Sequence, residues 1–118
     1  MVNVLFVCSI NSERSPTAEQ LFHDVPGWIV KSAGTKPQAV VPVNRELLDW
    51  ADRIYCMENT HYEDIRRISP DCFPKVRILN IEDHYMRNSS KLIITLLGRV
   101  SSIEPLDEWL ISKFEITE

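Results

Sequence analysis

The segment Val4-Leu5-Phe6-Val7-Cys8-Ser9-Ile10-Asn11-Ser12-Glu13-Arg14-Ser15-Pro16 sets a thiol, a guanidinium and a hydroxyl at the junction between an apolar run and a helix start. Cys8 closes the apolar run, and Pro16 suits a first helical turn, where its missing N–H costs little. A chain that turns from strand to helix in this way aims successive backbone N–H groups at one point, which then binds an anion. Each side chain has a chemical use there. A thiol attacks only as the thiolate, and a helix N-terminus beside a guanidinium favours that form. Arg14 presents a planar fork that grips two oxygens of a phosphoryl group, while the loop of Ser9, Ile10, Asn11, Ser12 and Glu13 holds the rest. Ser15 stands where its hydroxyl could donate to the sulfur and ease its departure from a thiophosphate. Neither Cys56 nor Cys72 is followed by Arg-Ser at this spacing.

The run from Val7 to Asn11 with Arg14-Ser15-Pro16-Thr17-Ala18-Glu19, then Ser32-Ala33-Gly34-Thr35, resembles the low-molecular-weight protein tyrosine phosphatases. The stretch Trp50-Ala51-Asp52-Arg53-Ile54-Tyr55-Cys56-Met57-Glu58 extends the likeness to short, bacterial-type members, so that it spans most of the chain. The resemblance implies a protein-tyrosine-phosphatase hydrolase that works without metal or cofactor through a cysteinyl-phosphate. Cys8 is then the nucleophile and Arg14 the phosphate clamp, and Asn11, Ser15 and Ser32 form a network that holds the loop's shape. It also implies an Asp on a late loop, which protonates the leaving phenolate and then deprotonates water. Asp83, just past the apolar Val76-Arg77-Ile78-Leu79, fits that place at the carboxyl end of a parallel strand. Glu82 is its rival, because His84 stands where many relatives carry Pro after the acid. Tyr85 could wall the site against an aromatic ring or be a half-buried aromatic of the fold. The expected ligands are a phosphotyrosine protein or small phosphomonoester, and inorganic phosphate or a similar oxyanion.

Two loop residues depart from that pattern. Ile10 occupies a position where the larger relatives often have Gly, and a β-branched residue resists positive φ. Glu13 sets a carboxylate beside the clamp, which is compatible with phosphate only if it points outward. The short stretch from Thr35 to Asn44 leaves little chain for substrate walls, so a shallow, open site is expected. Val40, Val41 and Trp50 are the apolar residues that could line it, with Trp50 better explained by core packing.

Other chemistries fit less well. A phosphate-binding module would keep Arg14 and the loop, but an anionic sulfur opposes phosphate binding, and the retained Cys8 favours catalysis. An arsenate reductase would pass a disulfide to two further cysteines. Position 63 is Glu, and Cys72 is separated from Cys56 by a helix. Cys56 then reads as a buried strand residue and Cys72 as a loop thiol. A zinc site from Cys56, His61 and Cys72 lacks paired spacing, and His23 and His61 read as solvated helix residues. Three glycines, none in a Gly-x-Gly-x-x-Gly turn, exclude a dinucleotide site.

Elements that position the loop alternate along the chain. Strands are expected at Asn3 to Val7, from Trp28 to Gly34, at Arg53 to Met57 and at Val76 to Leu79. The helix after the first strand carries Ala18, Leu21, Phe22 and Val25, and Asn44 caps the next, with Leu47, Leu48 and Ala51. A third, capped by Asn59 or Thr60, bears Tyr62, Ile65 and Ile68, and Pro70 and Pro74 bracket the loop that follows. Leu92, Ile93, Leu96, Leu97 and Val100 mark a fourth from near Ser89, in which Gly98 suggests close packing; a last helix starts at Pro105. The pattern implies a flavodoxin-like three-layer α/β/α fold with a four-stranded parallel sheet of order 2-1-3-4.

Composition sets the remaining bounds. At 118 residues the chain is expected to be a single domain, residues 1–118. A hydrophobic share of 44% with 25% charged residues is that of an ordinary globular protein. No apolar run approaches the roughly 20 residues of a membrane span, and a net charge of −4 offers nothing to nucleic acid. Three cysteines without scaffold spacing suit a reducing compartment, so a cytoplasmic location is expected.

Overall fold

The computed structural model describes residues 1–114. Four parallel strands, β1 (Val2–Cys8), β2 (Trp28–Gly34), β3 (Arg53–Cys56) and β4 (Val76–Ile78), form one sheet in the order β2-β1-β3-β4. Five helices connect and follow them: α1 (Arg14–Phe22), α2 (Arg45–Trp50), α3 (Asn59–Ile68), α4 (Ser90–Ser101) and α5 (Asp107–Phe114). The expected fold class and strand order are therefore the ones observed.

The alternation of side chains along β1 explains the layers. Val4, Phe6 and Cys8 face one apolar cluster, filled from the helices by Ala18, Leu21 and Phe22 of α1, Leu92, Leu96 and Val100 of α4, and Trp109 of α5. Leu5 and Val7 face the other, filled by Leu48 of α2 and Ile65 of α3. A strand covered on both faces must be apolar throughout, which is why Val4–Val7 reads as an unbroken apolar run. Phe6 stacks on Phe22 at 5.5 Å and on Tyr55 at 5.4 Å between ring centroids, and Phe22 meets Trp109 at 5.5 Å. Burying a ring such as Phe22 stabilises the fold by roughly 1.5–3 kcal/mol. The Tyr55 hydroxyl donates to buried Glu104, which also pairs with Arg53; burial and that carboxylate push the phenol pKa up, so it remains a donor.

The register aligns the carboxyl ends of the strands, with Cys8 opposite Gly34, Val7 opposite Cys56 and Cys56 opposite Ile78. The segments leaving these ends consequently gather at one edge of the sheet. Among them, Met57 N–H donates to the Val7 carbonyl at 2.9 Å and Ile81 N–H to the Met57 carbonyl at 2.8 Å.

Several local expectations need correcting. A Cβ built on Gly98 meets nothing within 4 Å, so this glycine does not mark close packing. The cap of α3 is Glu58, one residue before Asn59, because its carboxylate accepts the N–H of His61. Pro70–Lys75 is a 3₁₀ segment and not an open loop, and it carries Cys72 into the core at 1% exposure. The last helix begins at Asp107, beyond Pro105. Trp50 packs against the second cluster as expected, with the Lys31 ammonium 4.3 Å from its ring centre. No helix among the described residues is long and apolar enough to cross a membrane.

Candidate active site

Cys8 is the last residue of β1 and Arg14 the first of α1, so the loop between them is set by the ends of two packed elements. The Cys8 Sγ is 2.9 Å from Ser15 Oγ and 3.2 Å from the backbone N of Asn11, two groups that can donate to a thiolate. The carbonyls of Cys8, Ser9 and Ile10 accept the N–H groups of Thr35, Lys36 and Val40 at 2.9, 3.0 and 3.1 Å. These carbonyl dipoles are thereby turned toward the segment after β2, where they do not oppose an anion at the sulfur.

The left-handed position in the loop is Asn11, with φ 58°, and not Ile10. Asn tolerates that conformation far better than a β-branched residue. Its side chain locks the turn by donating to Ser15 Oγ at 2.8 Å and Ser32 Oγ at 2.9 Å. Ser32 in turn donates to the Glu19 carboxylate. The network of Asn11, Ser15 and Ser32 implied by the resemblance is present, with Glu19 as a further member. Ile10 is 44% exposed at the rim, where its carbonyl accepts the Val40 N–H, and Val40 and Val41 are exposed as well. Ser12 and Glu13 are half-buried, and the Glu13 carbonyl accepts both the N–H and the hydroxyl of Thr17 in the first turn of α1.

Arg14 is 2% exposed, and its guanidinium is braced on one nitrogen. Nη1 donates to Glu58 Oε1 at 2.5 Å and to the Ile81 carbonyl at 2.8 Å. Glu58 accordingly faces the clamp and also caps α3. Asp83 Oδ1 lies 3.7 Å from Arg14 Nε, with its side chain 67% exposed. Glu82 turns to His84, whose Nδ1 is 3.5 Å away, so of the two rival carboxylates Asp83 is the one that reaches the cradle. Tyr85 is half-buried, stacks on His84 at 4.3 Å and packs against the first core cluster.

His61 is 2% exposed and not solvated. Its Nδ1 accepts the Glu58 backbone N–H at 3.0 Å, and its Nε2 is 2.9 Å from Ser9 Oγ. Burial, helped by the Arg14 charge, lowers its pKa to about 4 against the pull of Glu58, Asp64 and Asp83. Gly34, like Glu19, Glu58 and His61, has a part that its place in the sequence does not announce. A Cβ there would sit 2.5 Å from the Ser9 carbonyl oxygen and 2.7 Å from the Ala39 Cβ, so the loop rests directly on this backbone. Cys56 and Cys72 are both buried, and burial raises both thiol pKa values, which makes them poor partners for a disulfide relay.

This fold recurs in solved structures. A low-molecular-weight phosphotyrosine phosphatase from Vibrio cholerae is 26% identical, with 93% of this chain and 97% of that one covered at a TM-score of 0.69. The YwlE arginine phosphatase from Geobacillus stearothermophilus is 23% identical over 98% of this chain and 94% of its own, with a TM-score of 0.63. Wzb from Vibrio vulnificus, solved in complex with benzylphosphonate, is 21% identical over 86% of this chain and 92% of its own, with a TM-score of 0.68. No protein-family model matches the chain, and no curated protein matches it in sequence. The chain has the fold of the low-molecular-weight protein tyrosine phosphatases, in agreement with the likeness carried by residues 7–19 and 32–35.

Proposed function

We propose that this single domain is a phosphomonoesterase of the protein tyrosine phosphatase type that works through a cysteinyl-phosphate. The observation that carries the reading is the placement of Cys8 Sγ under two donors, Ser15 Oγ and Asn11 N, beside a buried guanidinium fixed by Glu58 and Ile81. With Nη1 of Arg14 engaged, its Nε and Nη2 remain for two phosphoryl oxygens. The Cys8 thiolate attacks phosphorus, the ester P–O bond breaks, and the leaving oxygen takes a proton from Asp83. Water then attacks the thiophosphate, Asp83 accepts its proton, and the S–P bond breaks with Ser15 and Asn11 donating to the released thiolate. Every role falls to a side chain or a backbone amide.

The neighbours support a phosphorylated residue as substrate, since one is named an arginine phosphatase and another a phosphotyrosine phosphatase, while a third holds benzylphosphonate. The stacked His84 and Tyr85, just beyond Asp83, favour an aromatic leaving group for this chain. The test is hydrolysis of p-nitrophenyl phosphate with EDTA present by wild type and Cys8→Ser, followed by phosphotyrosine and phosphoarginine peptides. Turnover by wild type alone, with phosphotyrosine preferred, is the expected result. Saturable phosphate binding without turnover would reassign the chain as a binding module.

A further inference from the structure

The first turn of α3 touches the phosphate loop and its clamp at once. Glu58 sends its carboxylate to Arg14 and to the N–H of His61, and its own N–H to His61 Nδ1. Because Nδ1 is an acceptor in that contact, the ring proton of the neutral imidazole must be on Nε2, and Nε2–H then donates to Ser9 Oγ at 2.9 Å. The groups that surround this ring are Arg14 from α1, Glu58 and Asp64 from α3 and its cap, and Asp83 from the loop after β4. None is hydrogen-bonded to Nε2, so that proton is committed to Ser9.

We propose that His61, as the neutral Nε2–H tautomer, is a positioning residue that holds the phosphate loop through Ser9 while orienting Glu58 on Arg14. The His61 ring is hydrogen-bonded to neither the sulfur nor the guanidinium. Its effect passes through two neighbours, one on each side of the anion site: Ser9 is the residue after the nucleophile, and Glu58 is the brace of the clamp. A ring that donated from Nδ1 instead would set two N–H groups against each other at Glu58 and leave Ser9 without its donor. The inference rests on the phosphatase reading for its kinetic readout but not for its binding readout.

The first measurement is the tautomer, read from nitrogen NMR shifts of the His61 ring at pH 7. Protonated Nε2 with bare Nδ1 is expected, and the opposite tautomer overturns the proposal. The second compares His61→Gln, whose amide can still donate toward Ser9, with His61→Asn, whose shorter amide can accept the Glu58 N–H but does not reach Ser9. Inorganic phosphate affinity should stay within about threefold of wild type in the Gln variant and fall about tenfold in the Asn variant, the size of one hydrogen bond. The kcat for p-nitrophenyl phosphate should follow the same order, with both variants melting at similar temperatures. Wild-type phosphate affinity in the Asn variant overturns the proposal. Ser9→Ala should also abolish the difference between Gln and Asn at position 61; a difference that persists overturns it. Phosphate binding needs no turnover, so a protein that binds in this pattern yet hydrolyses nothing refutes the phosphatase reading alone.

Discussion

The loop from Cys8 to Ser15 and the segment from Glu82 to Met86 face the same site but are held in different ways. In the first, Asn11, Arg14 and Ser15 are buried and each makes hydrogen bonds to other elements, so the anion site is shaped before any ligand arrives. In the second, Asp83 is 67% exposed and its nearest charge, Arg14 Nε, is 3.7 Å away, beyond hydrogen-bond length. In the proposed reaction, transition-state charge on the phosphoryl group would be met by the fixed donors of the first region, where preorganisation has most effect. Proton transfer would fall to a side chain of the second that can approach as the leaving group departs.

The largest effect should come from breaking the first region at its centre. Cys8→Ser should abolish turnover while keeping oxyanion binding, measured by phosphate titration; residual turnover near wild type would remove Cys8 as the nucleophile. Asp83→Ala should lower kcat by about 10²–10⁴-fold on alkyl-like phosphates and much less on p-nitrophenyl phosphate. Its melting temperature should not move, as the side chain is exposed. Equal losses on both substrates would assign the acid elsewhere, and Glu82→Ala serves as the control. Arg14→Lys keeps the charge but loses the fork, and kcat/KM should fall about 10²–10³-fold, the scale of one lost transition-state donor.

Smaller effects sharpen the same contrast through stability. Gly34→Ala drives a methyl against the Ser9 carbonyl, and should destabilise the fold by about 1–3 kcal/mol and weaken phosphate binding, as read by urea unfolding and titration. His61 gives the pH dependence. Its folded pKa of about 4 lies below the usual 6.5, so the unfolded chain binds the proton first as pH falls. Its contribution to stability is therefore full above about pH 6.5 and declines toward pH 4, by up to about 3 kcal/mol. The Gln variant lacks this group, and the difference between the two unfolding curves should shrink across that window; a constant difference would contradict the buried neutral ring.

What could be read from the chain alone follows how local each contact is. Cys8, Asn11, Arg14 and Ser15 lie within one strand–loop–helix turn, where spacing itself fixes geometry. The alternation of elements likewise gives the sheet and its order. Glu58 and His61 act on residues 44 and 52 positions away, and each passes locally for something ordinary: a cap, and a polar residue of an amphipathic helix. The signal that was available is the Glu58-x-x-His61 spacing directly after β3, a reciprocal cap placed beside β1 by the 2-1-3-4 order. Gly34 escaped for a related reason, since close approach of two backbones leaves no mark on composition. The doubt over Ile10 had its physics right but its position wrong, because the left-handed residue is its neighbour Asn11.

The two outer strands of the sheet differ in a way that bears on self-association. Bare strand edges can recruit another chain into a growing sheet. At one rim β4 offers only three residues, Val76–Ile78, with exposed Arg77 in the middle, too short a template for a stable added strand. At the other, the longer β2 carries exposed Lys31, and its end is covered where Gly34 bridges to Pro42, a residue that cannot donate. The fold thus protects itself against edge-to-edge aggregation at its two outer strands without covering the carboxyl edge of the sheet, where Cys8 and Arg14 lie.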